Sequence, residues 1–434
     1  MRWGRRCVGV VLVALSGSGL GACQLFFPLD ESPRADAAGS GQPDVAHAHD
    51  STMPDAGRDA PGESGGHDAH LGDAAGHDAH DAAIVDAHIL DVLLDHATCA
   101  SQTDAQNCGA CGHSCLGGAC SGGACQPVEL AESLIYAGVV RAGGRGVVYY
   151  TTTANPYAPV GSYLGSAVSV FSPDAGVSEA LPGAPRVSTG YYGALAVGGG
   201  RVYFMRDFSA ILAYDVDTGV ITTFASGGED AGVFPVLMAA DDTNVYWYGY
   251  GAVQEQPTDS GVHVQVASGI SAGLGGMTAG RGRVWWTAPP NQVVYQQTPG
   301  GVMSGGTTAE NPGGITVDDA GVPYWVALGS GDAGGSVQSY QSGAVVTVAV
   351  GQVAPSDIWV DAKYIYWLNG GTGAHAFKDG TVMRLPKNPD AGAPIAVASA
   401  QIWPVSITGD DQAIYWLNAG NPDAGTGSLW KLAK

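Results

Sequence analysis

Eight cysteines and two closely spaced histidine pairs are the side chains here whose type and spacing could do chemistry. Setting aside Cys7 and Cys23, six remain: Cys99, Cys108, Cys111, Cys115, Cys120 and Cys125, spaced C-x8-C-x2-C-x3-C-x4-C-x4-C. The surrounding Gly, Ala, Ser and Asn offer little to bury, so an even set of thiols reads as disulfide staples, each contributing about 2–4 kcal/mol. The spacing leaves the pairing open. Zinc on Cys108, Cys111 and Cys115 is the competing reading, but an exported chain meets oxidant and Cys-x2-Cys has no second matching pair here. The histidines fall in a tandem copy, GHDAHLGDAA followed by GHDAHDAAIV, which sets His67, His70, His77 and His80 among carboxylates. Such a run could hold zinc, copper or nickel weakly; its plainer reading is a repeat-expanded hydrophilic tether.

The elements around these residues begin with an export signal. Arg2, Arg5 and Arg6 precede a short apolar run from Cys7 to Leu15, and Ser16, Gly17, Ser18, Gly19 and Gly21 interrupt what a membrane-spanning helix would need to continue. Leu20-Gly21-Ala22-Cys23 resembles a bacterial lipobox, and the resemblance implies a signal over residues 1–22 and a diacylglyceryl group on Cys23. Gln24 is similar to the residue following the cysteine in outer-membrane lipoproteins, which implies a lipid anchor in the bacterial envelope at the outer membrane, with the chain facing periplasm or cell surface. Residues 23–98 then form an acidic tether, too polar to repay the entropy of folding, with an apolar run at residues 84–94 near its end. Between Asp30 and Thr98 fifteen Asp and Glu stand against two Arg, so −13 of the net −22 sits there. That charge argues against nucleic acid and anionic lipid surfaces as partners. The run NCGACGHSCLGGACSGGAC, within residues 99–126, resembles the cysteine-rich module of stigma-specific proteins, which implies an extracellular setting.

Residues 127–434 repeat. VYY at Val148, VYF at Val202, VYW at Val245, VWW at Val284, PYW at Pro323 and IYW at Ile365 and Ile414 make seven copies about 44 residues apart, the period of a four-stranded propeller blade. The last copy ends at its third strand, Leu429-Trp-Lys-Leu, while Pro127-Val-Glu-Leu matches the fourth-strand segment Pro394-Ile-Ala-Val. This predicts an all-β fold, a seven-bladed β-propeller closed by its N-terminal strand, which removes the exposed edges of a long array. Asp-Ala-Gly at Asp174, Asp230, Asp319, Asp332, Asp390 and Asp423 reads as turn chemistry, with calcium at these or at Asp215-Val-Asp217 as the lesser reading.

IYWLN followed by GTVMRLPK resembles the YWTD propellers of the lipoprotein-receptor class, which implies an aromatic second strand and a G-x-[IV]-x-[RK] third strand in each blade. Leu368-Asn369 and Leu417-Asn418 stand where that family has Thr-Asp, and seven blades replace its six. Trp247, Trp285, Trp286, Trp325, Trp367 and Trp416 recur at blade period and read as inter-blade packing rather than a sugar-stacking platform. In a propeller the first strands line the central channel, and the segments starting near Ala137, Tyr192, Phe234, Ala272, Asn311, Ala354 and Ile402 hold no His and only Arg141 and Asp357 as charges well inside. His263 is expected in a strand and His375 in a loop. Gly329-Ser-Gly331-Asp-Ala-Gly334 joins two strands with no helix to receive a phosphate. The sequence therefore predicts an envelope-anchored binding or scaffold module for a protein or glycan, with no catalytic residues and no cofactor. The alternatives are a propeller hydrolase or lyase acting on an extracellular polymer, and metal capture by the tether histidines.

Overall fold

A computed structural model describes residues 100–135, 137–152, 167–184, 194–206, 210–227, 236–259, 261–270, 273–298, 301–308, 310–329, 334–388, 390, 392–420 and 426–434. Cys23, the tether with His67, His70, His77 and His80, the run at 84–94, Cys99, Asp230, Asp332 and Asp423 lie outside the described residues.

Seven four-stranded antiparallel sheets form the seven blades of a β-propeller, six of them from strands consecutive in the chain. The seventh joins Pro404–Gly409, Ala413–Asn418 and Gly427–Ala433 to Val128–Leu134 from the other end, with Val128 opposite Lys431 and Leu134 opposite Gly427. Closure by the N-terminal strand is thus the observed topology, and it leaves no blade short of a strand. The channel strands are Ala137–Gly144, Leu195–Gly198, Leu237–Ala240, Gly276–Gly280, Asn311–Val317, Pro355–Val360 and Pro404–Gly409. Several are shorter than their sequence segments suggest.

All seven aromatic copies lie on second strands, for example Tyr364–Asn369 in blade six and Ala413–Asn418 in blade seven. Successive strand residues point to opposite faces, so each Tyr-Trp pair serves two seams. Trp367 packs against Tyr324 and Val326 of blade five, while Tyr366 packs with Ile414 and Trp416 of blade seven. Seven clusters of buried residues result, each bridging two neighbouring blades, and together they are the core of the ring. Trp247, Trp286, Trp325, Trp367 and Trp416 are fully buried, so they pack the seams and offer no face to a sugar.

Polar groups close the same seams. Trp367 Nε1 and Asn369 Nδ2 both donate to Gln352 Oε1 of blade five, at 2.8 and 3.1 Å, and Trp416 and Asn418 repeat this on Gln401 of blade six at 2.8 and 3.0 Å. The asparagines standing in place of Asp therefore cross-link blades through a glutamine. At the opposite end of the blades, one aspartate does two jobs. In blade six Asp361 Oδ1 accepts from the N–H groups of Lys363 and Tyr364 (both 2.7 Å), closing the turn between first and second strands, while Oδ2 meets Lys434 of blade seven at 3.0 Å. Asp318 does the same with Lys387 at 2.6 Å, and the Oδ2 atoms of Asp410 and Asp241 take the N–H groups of Gly146 and Gly282 in the next blade. In the fifth blade it is Asp318, not Asp319, that makes the turn. Asp215 accepts from Thr218 N and Oγ1 and lies 3.6 Å from Arg201, a turn with its own cation.

The cysteine module is an annex of blade seven. Disulfides join Cys108 to Cys120 and Cys115 to Cys125, and Cys111 is also disulfide-bonded. Cys120–Ser121 and Ala124–Cys125 pair as a hairpin about Gly122 and Gly123, whose φ of +59° and +75° suit a tight turn that side chains resist. With Cys108, Cys111 and Cys115 all disulfide-bonded, their sulfurs are bridges rather than thiolate ligands, which removes the zinc reading on these three; the same holds for Cys125, whose sulfur clusters with those of Cys108 and Cys115. Leu116 packs on the seam between blades seven and one, and Lys431 Nζ donates to Leu116 O at 2.6 Å. His113 reaches Cys108 O with Nδ1 (2.6 Å) and Lys434 O with Nε2 (2.7 Å), fastening the module to the end of the third strand.

Candidate functional site

The seven first strands enclose a central cavity of about 400 Å³, and Gly, Ala, Val and Ile supply most of its wall. Small residues are required there: a Cβ on Gly276 would lie 3.0 Å from Gly313 O, and one on Gly314 would lie 2.7 Å from Asp357 Oδ1. Arg141 of blade one and Asp357 of blade six are the charged groups among the described lining residues, as the sequence placed them. Both keep partial exposure toward the cavity while protein surrounds them on the other sides.

Their partners differ. Asp357 Oδ1 accepts from Ile358 N at 2.9 Å and Oδ2 from Ile407 N at 3.0 Å, and Ser406 of blade seven adds a side-chain hydrogen bond. Ser406 Oγ in turn accepts from Val140 N of blade one at 3.3 Å, so the pair is linked across three consecutive blades. Arg141 Nη1 donates to Val140 O at 2.8 Å. Burial raises the Asp357 carboxyl above its ordinary value, with Arg141 and the hydrogen bonds opposing; burial likewise lowers Arg141, with Asp357 opposing. A general acid–base pair needs two groups free to exchange protons with a ligand, and Asp357 is occupied by main-chain N–H groups.

A second constellation lies on the rim. In the loop between the second and third strands of blade six, Thr372 Oγ1, His375 Nδ1 and Asp379 Oδ2 converge at 2.8–2.9 Å, and Thr372 N donates to Asp379 Oδ1 at 2.7 Å. Thr, His and Asp invite comparison with a hydrolytic triad, which uses one ring nitrogen for the acid and the other for the hydroxyl. Here Nδ1 faces both, so the trio is a brace. Desolvation raises Asp379, but the N–H and hydroxyl of Thr372 and the His375 ring together outweigh it and hold the carboxyl at about 2. His375 is in a loop as expected; His263 precedes the strand Val264–Ala267 and meets the edge of Trp247 at 5.4 Å.

The brace presents Phe377. Its ring stacks on Trp403, from the connection between blades six and seven, with centroids 5.5 Å apart and planes 23° apart. Each is 37% exposed. Trp403 N donates to Phe377 O at 2.9 Å and Phe377 N to Thr372 O at 2.9 Å. Ala376, Phe377 and Trp403 all have φ between +52° and +57°, left-handed backbone that costs a non-glycine residue about 1 kcal/mol or more. Exposed aromatics held by strained backbone were not singled out in the sequence, where Phe377 and Trp403 lack the blade period; the unusual length of the loop from Gly370 to Gly380 was the available signal.

Fold and site together define a seven-bladed β-propeller with a channel of small aliphatic and hydroxyl residues around one Arg and one Asp, and an aromatic ledge on one rim. No family model and no curated protein matches the chain. Among solved structures it is similar to a catalytically inactive variant of virginiamycin B lyase from Staphylococcus aureus holding quinupristin (17% identity, TM-score 0.53, 71% of this chain and 98% of that one). It is also similar to the WD40 repeats of RRP9 (8%, 0.52, 71% and 97%) and to YCF48 bound to a D1 peptide (10%, 0.51, 71% and 96%). At these identities the likeness is one of fold, shared by a lyase, a set of WD40 repeats and a peptide-bound protein alike.

Proposed function

We propose that this chain is a lipoprotein of the bacterial envelope, held at the outer membrane through Cys23, whose tether carries the propeller to a protein partner. The observation that carries the binding part is the Phe377–Trp403 ledge. Large aromatics left a third exposed, pinned by hydrogen bonds and strained backbone, are costly for the free protein and suit a contact that buries them; Trp is prominent among residues dominating interface energetics. The peptide on YCF48 is in keeping with a propeller face used this way. A polymer hydrolase or lyase would call for convergent acid and base in the channel, and the occupied Asp357 beside Arg141 does not favour it. The tether histidines keep metal capture as a separate expectation, which calorimetry of the full chain with zinc and copper addresses.

Comparing capture from cell envelopes by wild type and by Trp403→Ala tests the reading. Loss of a hot-spot aromatic costs about 2 kcal/mol or more, roughly thirtyfold in affinity. Equal capture by both, or recovery of glycan alone, would refute a protein-binding ledge.

A further inference from the structure

We propose that the central cavity is a binding site for a small organic anion, a carboxylate or phosphate, with Arg141 as its counter-charge. Three observations carry this. First, the two charges of the wall are unequally satisfied: both carboxylate oxygens of Asp357 already accept main-chain N–H groups at 2.9 and 3.0 Å, whereas Arg141 has Val140 O at 2.8 Å. Among the described residues no direct ion pair joins them. Second, Arg141 lines a cavity of about 400 Å³, within the size range of small-ligand pockets. Third, the wall around it is glycine and aliphatic residues interspersed with the hydroxyls of Thr278, Thr316, Ser356, Ser406 and Thr408, so the guanidinium is the cationic group that would orient an anionic occupant.

An enclosed charge that is only partly hydrogen-bonded is expensive, and a methionine of similar reach would be cheaper at this position. The guanidinium carries five N–H donors in a planar fork. Those beyond the bond to Val140 match the paired oxygens of a carboxylate or phosphate in a way a lysine ammonium does not. The chain's net charge of −22 opposes anions in general. Yet −13 of it lies between Asp30 and Thr98, and exposed charge is screened over about 8 Å at physiological salt. Inside the cavity Asp357 offsets the charge of Arg141 in part, but both its oxygens already hold main-chain N–H groups, so the donors left for an incoming anion are those of the guanidinium.

Calorimetry of the full chain in detergent, with malonate and with inorganic phosphate at ionic strength held constant by sodium chloride, tests the site. Saturable one-to-one binding of at least one anion is expected, and which one saturates separates carboxylate from phosphate ligands. Arg141→Met should weaken it at least tenfold while melting no lower than wild type, since an enclosed cation has been removed; Arg141→Lys should bind between the two. Failure of both anions to saturate, undiminished binding by Arg141→Met, or a lower melting temperature for that variant would overturn the proposal, the last by making Arg141 a structural residue.

Discussion

Gln352 and Gln401 each take two buried donors from the following blade, a tryptophan N–H and an asparagine amide. Removing such an acceptor strands both donors, at about 1–3 kcal/mol per unsatisfied group. Gln401→Ala is therefore expected to lower stability by about 2–5 kcal/mol in thermal unfolding, more than truncation of an exposed glutamine would. Asp379 gives a pH-dependent counterpart. Its folded carboxyl sits at about 2, below the value of about 3.9 in an unfolded chain, so its bracing is fully present above about pH 4. The bracing is lost as pH falls through about 2. A difference in Trp403 fluorescence between wild type and Asp379→Asn should therefore hold at neutral pH, be about half lost near pH 2 and vanish below it. The tryptophans and asparagines were legible because they recur at blade period. The glutamines were not, since each sits one blade earlier in the chain and only the closed ring brings it to its donors.

At the scale of elements, the strand Val128–Leu134 and the cysteine module act together. The strand's pairing with Gly427–Ala433 closes the ring, and the module ahead of it is seated on blade seven through Leu116, His113 and Lys431. Reduction of the disulfides should thus destabilise the propeller itself by about 2–4 kcal/mol per bridge, read as a lower melting temperature, and should bring protease cleavage at the strand's N-terminal side. A module hanging free would leave the propeller's melting unchanged. The closing strand was readable from the count of strands in the last repeat. The docking was not, because Leu116 is one apolar residue among glycines and its target, the seam of blades seven and one, is assembled from distant segments. The turn aspartates were half legible: Asp241, Asp361 and Asp410 each stand four residues before an aromatic copy, a spacing as regular as the aromatics themselves.

At the largest scale, the described residues form a closed ring of seven blades with a central channel and an aromatic ledge on its rim. Seven apolar seams hold the ring, and at those between blades five and six and between six and seven glutamine and aspartate add ties at opposite ends of the blades. Attachment has its own check, since Cys23→Ser should move the protein from the membrane fraction to the soluble one; unchanged fractionation would remove the anchor. Repeats made the architecture readable, because a period repeated seven times carries more information than any one segment. The ledge was unreadable because its rings do not recur: the connection that holds Trp403 has a counterpart in blade six with the same left-handed backbone, but Ala354 stands there in place of the ring. The central claim is that this ledge holds a protein partner, and the most direct measurement is capture from intact envelopes by wild type, Arg141→Met and Trp403→Ala at matched melting temperatures. The account predicts the same protein bound by wild type and Arg141→Met and lost from Trp403→Ala; retention by Trp403→Ala at wild-type yield would contradict it.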